Sequence, residues 1–152
     1  MHEKKYPDQA ILLIDDEPAV LENYDYTLFS AGINNLRTLS DSRDVADVLK
    51  STPVSVIVLD LMMPYISGNE LLVTIKESNP DCIIIVVTAM DDVKTAVSCM
   101  KDGAFDYLVK PVDNDLLLST IRRALERRED SDCPLTSRLA DNSLEKKPAA
   151  SL

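Results

Sequence analysis

The sequence predicts an α/β domain in which a parallel sheet of five strands is covered by helices on both faces. Three observations favour this fold class. Short runs rich in Ile and Val recur along the chain, as expected for strands buried on both faces. A segment with helix-type apolar spacing follows each run. Strand and helix therefore alternate five times, which calls for a doubly wound sheet with right-handed crossovers.

Five segments are predicted as strands from their length and apolar content. Three of them, Ala10–Ile14, Val56–Leu59 and Ile83–Val87, contain no polar residue and are typical of strands buried on both faces. Leu36–Leu39 and Tyr107–Val109 are weaker candidates. Each strand is short enough for an ordinary globular sheet, and none of the apolar runs is long enough to span a bilayer.

Five helices are predicted from apolar residues on one face and from residues that favour helix ends. Taken in chain order, these signals are Pro18 in the first turn and Gly32 at the end of the first helix, Ser42 and Ser67 before the second and third, Asp91 or Asp92 before the fourth with Gly103 at its end, and Asp113 at the start of the fifth. The helices fill the intervals between the strands, so the alternation is complete.

The chain has 152 residues, 45% of them hydrophobic, which suits one compact domain with a short extension. We predict an N-terminal extension at residues 1–8 and the α/β domain at 9–129. Residues 130–152 are polar and contain two prolines, which indicates a flexible linker or tail. Leu135, Leu139 and Leu144 leave a short helix in this tail as an alternative.

Charge restricts the partners of the chain. The net charge of −10 argues against direct binding to nucleic acid or to an anionic membrane by this chain. The predicted last helix is a local exception, because it carries four arginines that form either a solvated face or a contact for an acidic partner. They are Arg122, Arg123, Arg127 and Arg128.

Cysteine and histidine usage excludes several kinds of site. Cys82, Cys99 and Cys133 are odd in number and form no Cys-x-x-Cys pair, which argues against a disulfide framework or a thiolate zinc site. His2 is the single histidine, so the chain has no Ser-His-Asp triad and no histidine-rich metal site. With no apolar signal segment at the N-terminus, a reducing, cytoplasmic location is expected.

Polar residues follow the predicted strands at the end where α/β folds bind their ligands. Asp15 and Asp16 follow the first strand, Asp60 the third, Thr88 the fourth and Lys110 the fifth. In a sheet of order 2-1-3-4-5, strands one and three are neighbours, so the three carboxylates would lie together. Any one of these aspartates alone is typical of a helix cap or a turn, but five matching strand ends are not.

Such a cluster predicts phosphoryl chemistry. Crowded carboxylates repel one another, and an all-oxygen site of this kind suits Mg²⁺ or Mn²⁺. A cation there offsets phosphoryl charge, Lys110 neutralises a further oxygen, and the Thr88 hydroxyl donates to another. The Asp60 carboxylate is then the nucleophile, which attacks phosphorus and becomes an acyl phosphate.

Five segments together resemble the receiver domains of bacterial two-component response regulators, over about residues 9–128. The segments are Ile11–Glu17, Val58–Pro64, Ser67–Gly68, Val87–Ala89 and Phe105–Pro111. The resemblance implies a flavodoxin-like, doubly wound (βα)5 three-layer sandwich with parallel sheet order 2-1-3-4-5. It also implies a signalling domain rather than an enzyme, one that catalyses only its own phosphorylation and dephosphorylation.

The resemblance implies a role for each matching position. Asp60 is similar to the phosphoacceptor, and Asp15 and Asp16 to the metal carboxylates, with the backbone carbonyl of Met62 as a further metal ligand. Thr88 and Lys110 are similar to the switch hydroxyl and the phosphate-binding lysine. Tyr107 matches the switch aromatic, a role that can coexist with that of a half-buried strand residue. The Lys110–Pro111 bond is expected to be cis, and Gly68 to serve the backbone geometry of the loop after the acceptor.

The partners implied are a sensor histidine kinase or a phosphotransfer protein as donor, and a second copy of the chain after phosphorylation. The surface expected to pair is that of the helices Asp92–Lys101 and Asp113–Arg128. The segment Ala104–Pro111 and the arginine-bearing last helix resemble regulators of the nitrogen-control, ATPase-coupled type. Transcription regulation is therefore the expected output.

Three alternatives use related folds or chemistry. A haloacid dehalogenase requires a second Asp two residues after the nucleophile, where this chain has Met62. A flavodoxin requires a Ser, Thr and Gly loop after the first strand, where this chain has Asp15-Asp16-Glu17-Pro18. An unphosphorylated protein-interaction module on the same fold remains as the principal alternative.

Overall fold

The computed structural model describes residues 4–131. Its five strands are all parallel and form one sheet of order β2-β1-β3-β4-β5, which confirms the predicted fold class and strand order. The strands are β1 (Ala10–Ile14), β2 (Leu36–Leu39), β3 (Val54–Leu59), β4 (Ile83–Thr88) and β5 (Asp106–Val109). β3 begins two residues before its predicted start, and β4 extends to include Thr88.

A helix follows each strand. The helices are α1 (Pro18–Ser30), α2 (Val45–Ser51), α3 (Gly68–Ser78), α4 (Val93–Lys101) and α5 (Asn114–Ser131), and a short 3-10 turn at Ser42–Asp44 precedes α2. α5 continues to the last described residue. The predicted tail therefore lies almost wholly outside the described residues, together with the alternative helix at Leu135, Leu139 and Leu144, and the division at residues 8 and 129 stays a prediction.

Two hydrophobic cores lie on opposite faces of the sheet. Ile11, Leu13 and Val58 point to one core, which Leu28 of α1 and Ile121 of α5 complete. The alternate residues of the same strands point to the other core, where residues of α2, α3 and α4 cover them; among these strand residues are Leu12, Ile14, Ile57 and Leu59. Because successive side chains of a strand alternate between faces, fully apolar strands require this three-layer arrangement.

Most predicted helix ends are confirmed. The Ser67 hydroxyl accepts a hydrogen bond from the Glu70 N–H (3.3 Å), and the Asp92 carboxylate accepts one from the Thr95 N–H (2.9 Å). Gly32 has φ of +88° just beyond α1, a conformation that glycine adopts at little cost.

The prediction that Ser42 caps the second helix is wrong. Asp41 caps the 3-10 turn by accepting from the Arg43 N–H at 2.9 Å. The Ser42 hydroxyl is instead buried against the loop between β3 and α3, where it contacts the backbone of Pro64 and Ile66.

The N-terminal segment is tied to the loop between α1 and β2. The Tyr6 N–H donates to the Asn34 side chain (2.7 Å), and the Tyr6 carbonyl accepts from the N–H groups of Asn34 (2.9 Å) and Asn35 (3.0 Å). The Asn35 side chain also donates to the Pro7 carbonyl at 2.9 Å. These contacts hold the start of the described chain at the N-terminal edge of the sheet.

Candidate functional site

The two central strands bring two aspartates side by side. Ile14 at the end of β1 is paired in register with Leu59 at the end of β3, and each is followed by an aspartate. The Asp60 N–H also donates to the Ile14 carbonyl at 3.1 Å, which extends the ladder by one bond. Parallel pairing therefore places Asp15 beside Asp60 at the carboxyl edge of the sheet.

Three carboxylates meet at this edge. One oxygen each from Asp15, Asp16 and Asp60 lie within 4.8 Å of one another. Asp15 is 1% exposed and Asp60 is 5% exposed, whereas Asp16 faces solvent. The cluster is thus an acidic pocket with a buried floor and one open side.

Lys110 bridges the two buried carboxylates. Its ammonium nitrogen lies 2.6 Å from Asp15 Oδ2 and 2.8 Å from Asp60 Oδ2. The remaining oxygen of each carboxylate accepts a backbone N–H, from Glu17 to Asp15 Oδ1 (2.9 Å) and from Met62 to Asp60 Oδ1 (3.0 Å). Every oxygen of the two buried carboxylates therefore has a partner, and both side chains are held in one orientation.

The protonation of this group follows from burial and charge. Burial raises the pKa of the Asp15 carboxyl, and the hydrogen bonds from Lys110 and the Glu17 N–H oppose this rise without cancelling it. Burial by itself would lower the pKa of Lys110, but the hydrogen bonds to Asp15 and Asp60 and their charges raise it above its ordinary value. Lys110 therefore carries its positive charge at neutral pH.

The donor set fits a hard divalent cation. When all three aspartates are ionised, one ammonium leaves two formal negative charges uncompensated. The available ligands are carboxylate oxygens, which Mg²⁺ prefers over the sulfur and imidazole ligands favoured by softer metals. Asp16 is the most open of the three and gives the cation access from solvent.

Thr88 and Tyr107 meet at the backbone of Met90. Thr88 is fully buried at the end of β4, and its hydroxyl accepts the Met90 N–H at 3.4 Å. The half-buried Tyr107 of β5 donates its hydroxyl to the Met90 carbonyl at 2.7 Å. Burial raises the pKa of Tyr107, which keeps this donor protonated. The two predicted switch residues thus share an anchor in the loop between β4 and α4.

The loop between Asp60 and α3 passes close to the site. Met62 is exposed and contributes the N–H that Asp60 accepts. Gly68 donates its N–H to the Leu61 carbonyl at 3.0 Å, and a Cβ at this position would overlap the Asp60 carbonyl and the Leu61 Cα. Glycine is therefore required here for close approach of two backbone segments. The Lys110–Pro111 peptide bond is cis.

Sequence reasoning did not single out two residues that bear on the site. Tyr24 of α1 is buried, and the charges of Lys110, Asp15 and Asp60 act on its phenol. In the sequence, Tyr24 is an apolar-face residue of the first predicted helix, and nothing in its spacing connects it to the acidic cluster. Ser42 was predicted only as a cap, because nothing in the spacing of the chain connects it to the loop after Asp60.

Solved structures of receiver domains share this fold. A receiver domain protein from Clostridium thermocellum is 34% identical, with a TM-score of 0.74 over 80% of this chain and 97% of that one. The beryllofluoride-activated NtrC4 receiver domain dimer is also 34% identical, with a TM-score of 0.74 over 78% of this chain and 98% of that one. The fold and acidic edge therefore define an α/β signalling domain of the receiver class.

The chain belongs to the response regulator receiver domain family of two-component systems, whose sequence profile matches residues 11–122. It is 41% identical over 118 residues to the C4-dicarboxylate transport transcriptional regulatory protein DctD of Pseudomonas aeruginosa. It is 32% identical over 133 residues to the DNA-binding transcriptional regulator NtrC of Klebsiella pneumoniae. These matches cover 78% and 85% of this chain but only 25% and 28% of those proteins.

Two of the alternatives raised by the sequence are inconsistent with family membership. The match to the receiver family excludes assignment to the haloacid dehalogenases or to the flavodoxins. Within residues 4–131, no helix combines the length and the apolar character needed to cross a membrane.

Proposed function

We propose that this receiver accepts a phosphoryl group on Asp60 from a histidine kinase or a phosphotransfer protein, with a divalent cation as cofactor. The observation that carries the proposal is the convergence of Asp15, Asp16 and Asp60 around the ammonium of Lys110. In this proposal the chain catalyses its own phosphorylation and dephosphorylation and turns over no other substrate.

Asp60 is the nucleophile in this scheme. One of its carboxylate oxygens attacks phosphorus, a new P–O bond forms, and the bond from phosphorus to the donor nitrogen breaks. The Met62 N–H keeps the other side of the carboxylate oriented during attack.

Each neighbouring residue has a separate task. Asp15, Asp16, Asp60 and the Met62 carbonyl would hold Mg²⁺, which when bound offsets the negative charge of the phosphoryl oxygens. Lys110 already lies within hydrogen-bond distance of Asp60, so a small movement of its ammonium reaches a phosphoryl oxygen. Within residues 4–131 the Thr88 hydroxyl accepts a long hydrogen bond from the Met90 N–H and donates none, so its proton is available to a phosphoryl oxygen.

Direct labelling tests the assignment of Asp60. The full chain is incubated with Mg²⁺ and a small acyl phosphate donor, and the product is examined by mass spectrometry. We expect one phosphoryl group, stable to acid and labile to base, on the peptide that contains Asp60. The Asp60→Ala variant should remain unlabelled under the same conditions, and labelling that survives this change would remove the assignment.

We further propose that phosphorylation creates a homodimer through α4, β5 and α5. Apolar side chains are exposed on all three elements: Val93, Val97 and Met100 on α4, Val109 on β5 and Leu116 on α5. The loop that joins β4 to α4 holds Met90, the shared partner of Thr88 and Tyr107, so a shift of either residue reaches this surface. The NtrC4 receiver domain, a structural relative, is described as a beryllofluoride-activated dimer.

Light scattering after size-exclusion chromatography tests the dimer with and without beryllofluoride. We expect the mass to double when the phosphate mimic is added in the presence of Mg²⁺. Val97→Asp on α4 should prevent this change, whereas Phe29→Asp, at an exposed aromatic residue of α1, should not. An unchanged mass, or equal loss in both variants, would contradict the proposed surface.

The output of the switch is proposed to be transcriptional. DctD and NtrC are both transcriptional regulators by name. Each is about four times as long as the region that this chain matches, so the output function would reside in sequence beyond the receiver. A reporter fused to a promoter that responds to the full-length protein, compared between wild type and Asp60→Asn, tests this proposal.

A further inference from the structure

One buried hydroxyl holds the loop that follows the acceptor aspartate. Ser42 is 2% exposed and lies in the 3-10 turn between β2 and α2. Its hydroxyl donates to the Pro64 carbonyl at 2.8 Å and accepts from the Ile66 N–H at 3.1 Å. A side chain from a different loop therefore satisfies two backbone groups on either side of Tyr65.

The backbone between those two groups has an unfavourable conformation. Tyr65 has φ of +73°, in the left-handed region that non-glycine residues rarely adopt. Its exposed ring stacks on the guanidinium of Arg43, 3.7 Å from the ring centroid, and Arg43 is paired with Asp41 at 2.7 Å. The turn at Tyr65 is thus held from outside by the segment 41–43.

The same loop orients one oxygen of Asp60, and Lys110 holds the other. Its first part is closed by the hydrogen bond from the Met62 N–H to Asp60 Oδ1, and its last part by the bond from the Gly68 N–H to the Leu61 carbonyl. The remaining freedom of the loop lies between these two closures, where Ser42 binds. Releasing that middle part would let Met62 move and would loosen the carboxylate that it orients.

We propose that Ser42 is a positioning residue for the phosphoacceptor site. It fixes the loop 61–67, and through the Met62 N–H it fixes the orientation of Asp60 for cation binding, on which phosphoryl transfer depends. Ser42 contacts neither the acceptor carboxylate nor the other two aspartates in the hydrogen bonds of the described residues. The inference rests on the proposed function of Asp60.

A second buried serine supplies a matched control. Ser55 is 3% exposed, and its hydroxyl donates to the Gln9 carbonyl at 2.9 Å near the opposite edge of the sheet. Ser42→Ala and Ser55→Ala each delete one buried hydroxyl bonded to the backbone, so both should lower thermal stability. Only the first change should alter the site.

The experiment compares the Mg²⁺ affinity of the 152-residue wild-type chain and the two variants by isothermal titration calorimetry. Loss of a residue that orients a ligand typically weakens metal binding by 10- to 100-fold, so we expect about tenfold weaker binding for Ser42→Ala. Ser55→Ala should bind as wild type does. The labelling rate of Ser42→Ala with an acyl phosphate donor should be reduced at low Mg²⁺ and should approach that of the wild type at saturating Mg²⁺.

The possible results separate the two proposals. If wild type binds Mg²⁺ and labels on Asp60 but both serine variants behave alike, the positioning role of Ser42 is overturned and the proposed function stands. If wild type neither binds Mg²⁺ nor labels, both proposals fall. Should Ser42→Ala not fold, Ser42→Cys replaces it: its thiol is a weak hydrogen-bond partner of similar size, and it should weaken Mg²⁺ binding in the same direction. Affinity equal to that of wild type would then overturn the role.

Discussion

Each edge of the central sheet has a positively charged side chain that contacts oxygen atoms, but the charge of those oxygen atoms differs between the two edges. At the carboxyl edge, the ammonium of Lys110 contacts two carboxylates and a third lies beside them. At the opposite edge, the guanidinium of Arg128 donates to the Asp81 carbonyl (2.7 Å) and the Gln9 side-chain oxygen (3.0 Å), which are both uncharged. One cation is outnumbered by opposite charge, and the other is bound to neutral acceptors.

The difference follows from the chain direction. All five strands are parallel, so the helices α1, α3, α4 and α5 begin near the carboxyl edge, and their partial positive N-termini favour anions there. The excess carboxylate charge at that edge lowers the stability of the folded chain. A bound cation would offset this repulsion. The opposite edge carries no such cost. Substitutions at the carboxyl edge should therefore change both the free energy of unfolding and the reaction at Asp60. Substitutions at the opposite edge should change only the free energy of unfolding.

The largest effect is expected from Lys110→Met. This change removes the partner of two buried carboxylates, and breaking a buried ion pair typically costs 3–5 kcal/mol, so we expect a loss of about 4 kcal/mol of unfolding free energy. Urea denaturation in a chelator measures it. Saturating Mg²⁺ should restore part of the loss, because a cation can replace the missing charge.

The response to Mg²⁺ distinguishes electrostatics from packing in that experiment. If the loss in Lys110→Met is the same in chelator and in saturating Mg²⁺, the three carboxylates do not share a cation. A wild-type chain whose stability is unaffected by Mg²⁺ would lead to the same conclusion. Either result would show that the excess negative charge at the carboxyl edge is not balanced by a bound cation.

The sequence predicts the charged residues of the pocket, but it does not predict the long-range hydrogen bonds that hold the surrounding loops. Asp15 and Asp60 follow neighbouring strands, so the strand order alone brings them together. The contacts of Ser42 lie 22 and 24 residues away in a loop without periodicity, and that of Arg128 with Gln9 spans 119 residues. A serine before a helix is also a general cap signal, so the sequence pattern gives no reason to expect that Ser42 binds the loop after Asp60 instead. Periodic patterns predict elements, but single long-range side-chain contacts leave no pattern.

Gly68 and Gly32 differ in how closely other backbone atoms approach them. Gly68→Ala places a Cβ on the Asp60 carbonyl and the Leu61 Cα, which are backbone atoms that cannot move aside, and overpacking of this kind should cost about 3 kcal/mol. Gly32→Ala has open space around the new Cβ and only its positive φ against it, so about 1 kcal/mol is expected. Denaturant unfolding of both variants gives the comparison. Similar losses would contradict the close approach at Gly68.

The buried phenol of Tyr24 predicts a pH-dependent stability difference near the site. Burial raises the pKa of Tyr24 from 10.0 to about 12. The unfolded chain releases this proton near pH 10 and the folded chain only near pH 12, so the contribution of neutral Tyr24 is complete below pH 10 and is lost as pH rises through that window. The loss is about 1.4 kcal/mol per pH unit, or about 2.7 kcal/mol in all.

Comparison with Tyr24→Phe isolates this titration from all others in the chain. The unfolding free energy of wild type minus that of the variant should be constant up to about pH 10 and should fall at higher pH. Urea unfolding followed by far-UV circular dichroism at several alkaline pH values measures the difference. A difference that stays constant up to about pH 11 would show that the folded phenol ionises as readily as the unfolded one.

The smallest effect is expected at the opposite edge, from Arg128→Met. The change removes hydrogen bonds to the Asp81 carbonyl and to Gln9, but it also removes a buried Nε that has no hydrogen-bond partner within residues 4–131. The two effects oppose each other, so a loss of about 1 kcal/mol is expected. Arg123→Met, which breaks an exposed pair with Asp106, is the matched control and should cost less than about 0.5 kcal/mol. Neither variant should change the rate of Asp60 labelling, because neither touches the carboxyl edge. Slower labelling in Arg128→Met at unchanged stability would show that the two edges are coupled through α5, and that the separation of chemistry from stability is incomplete.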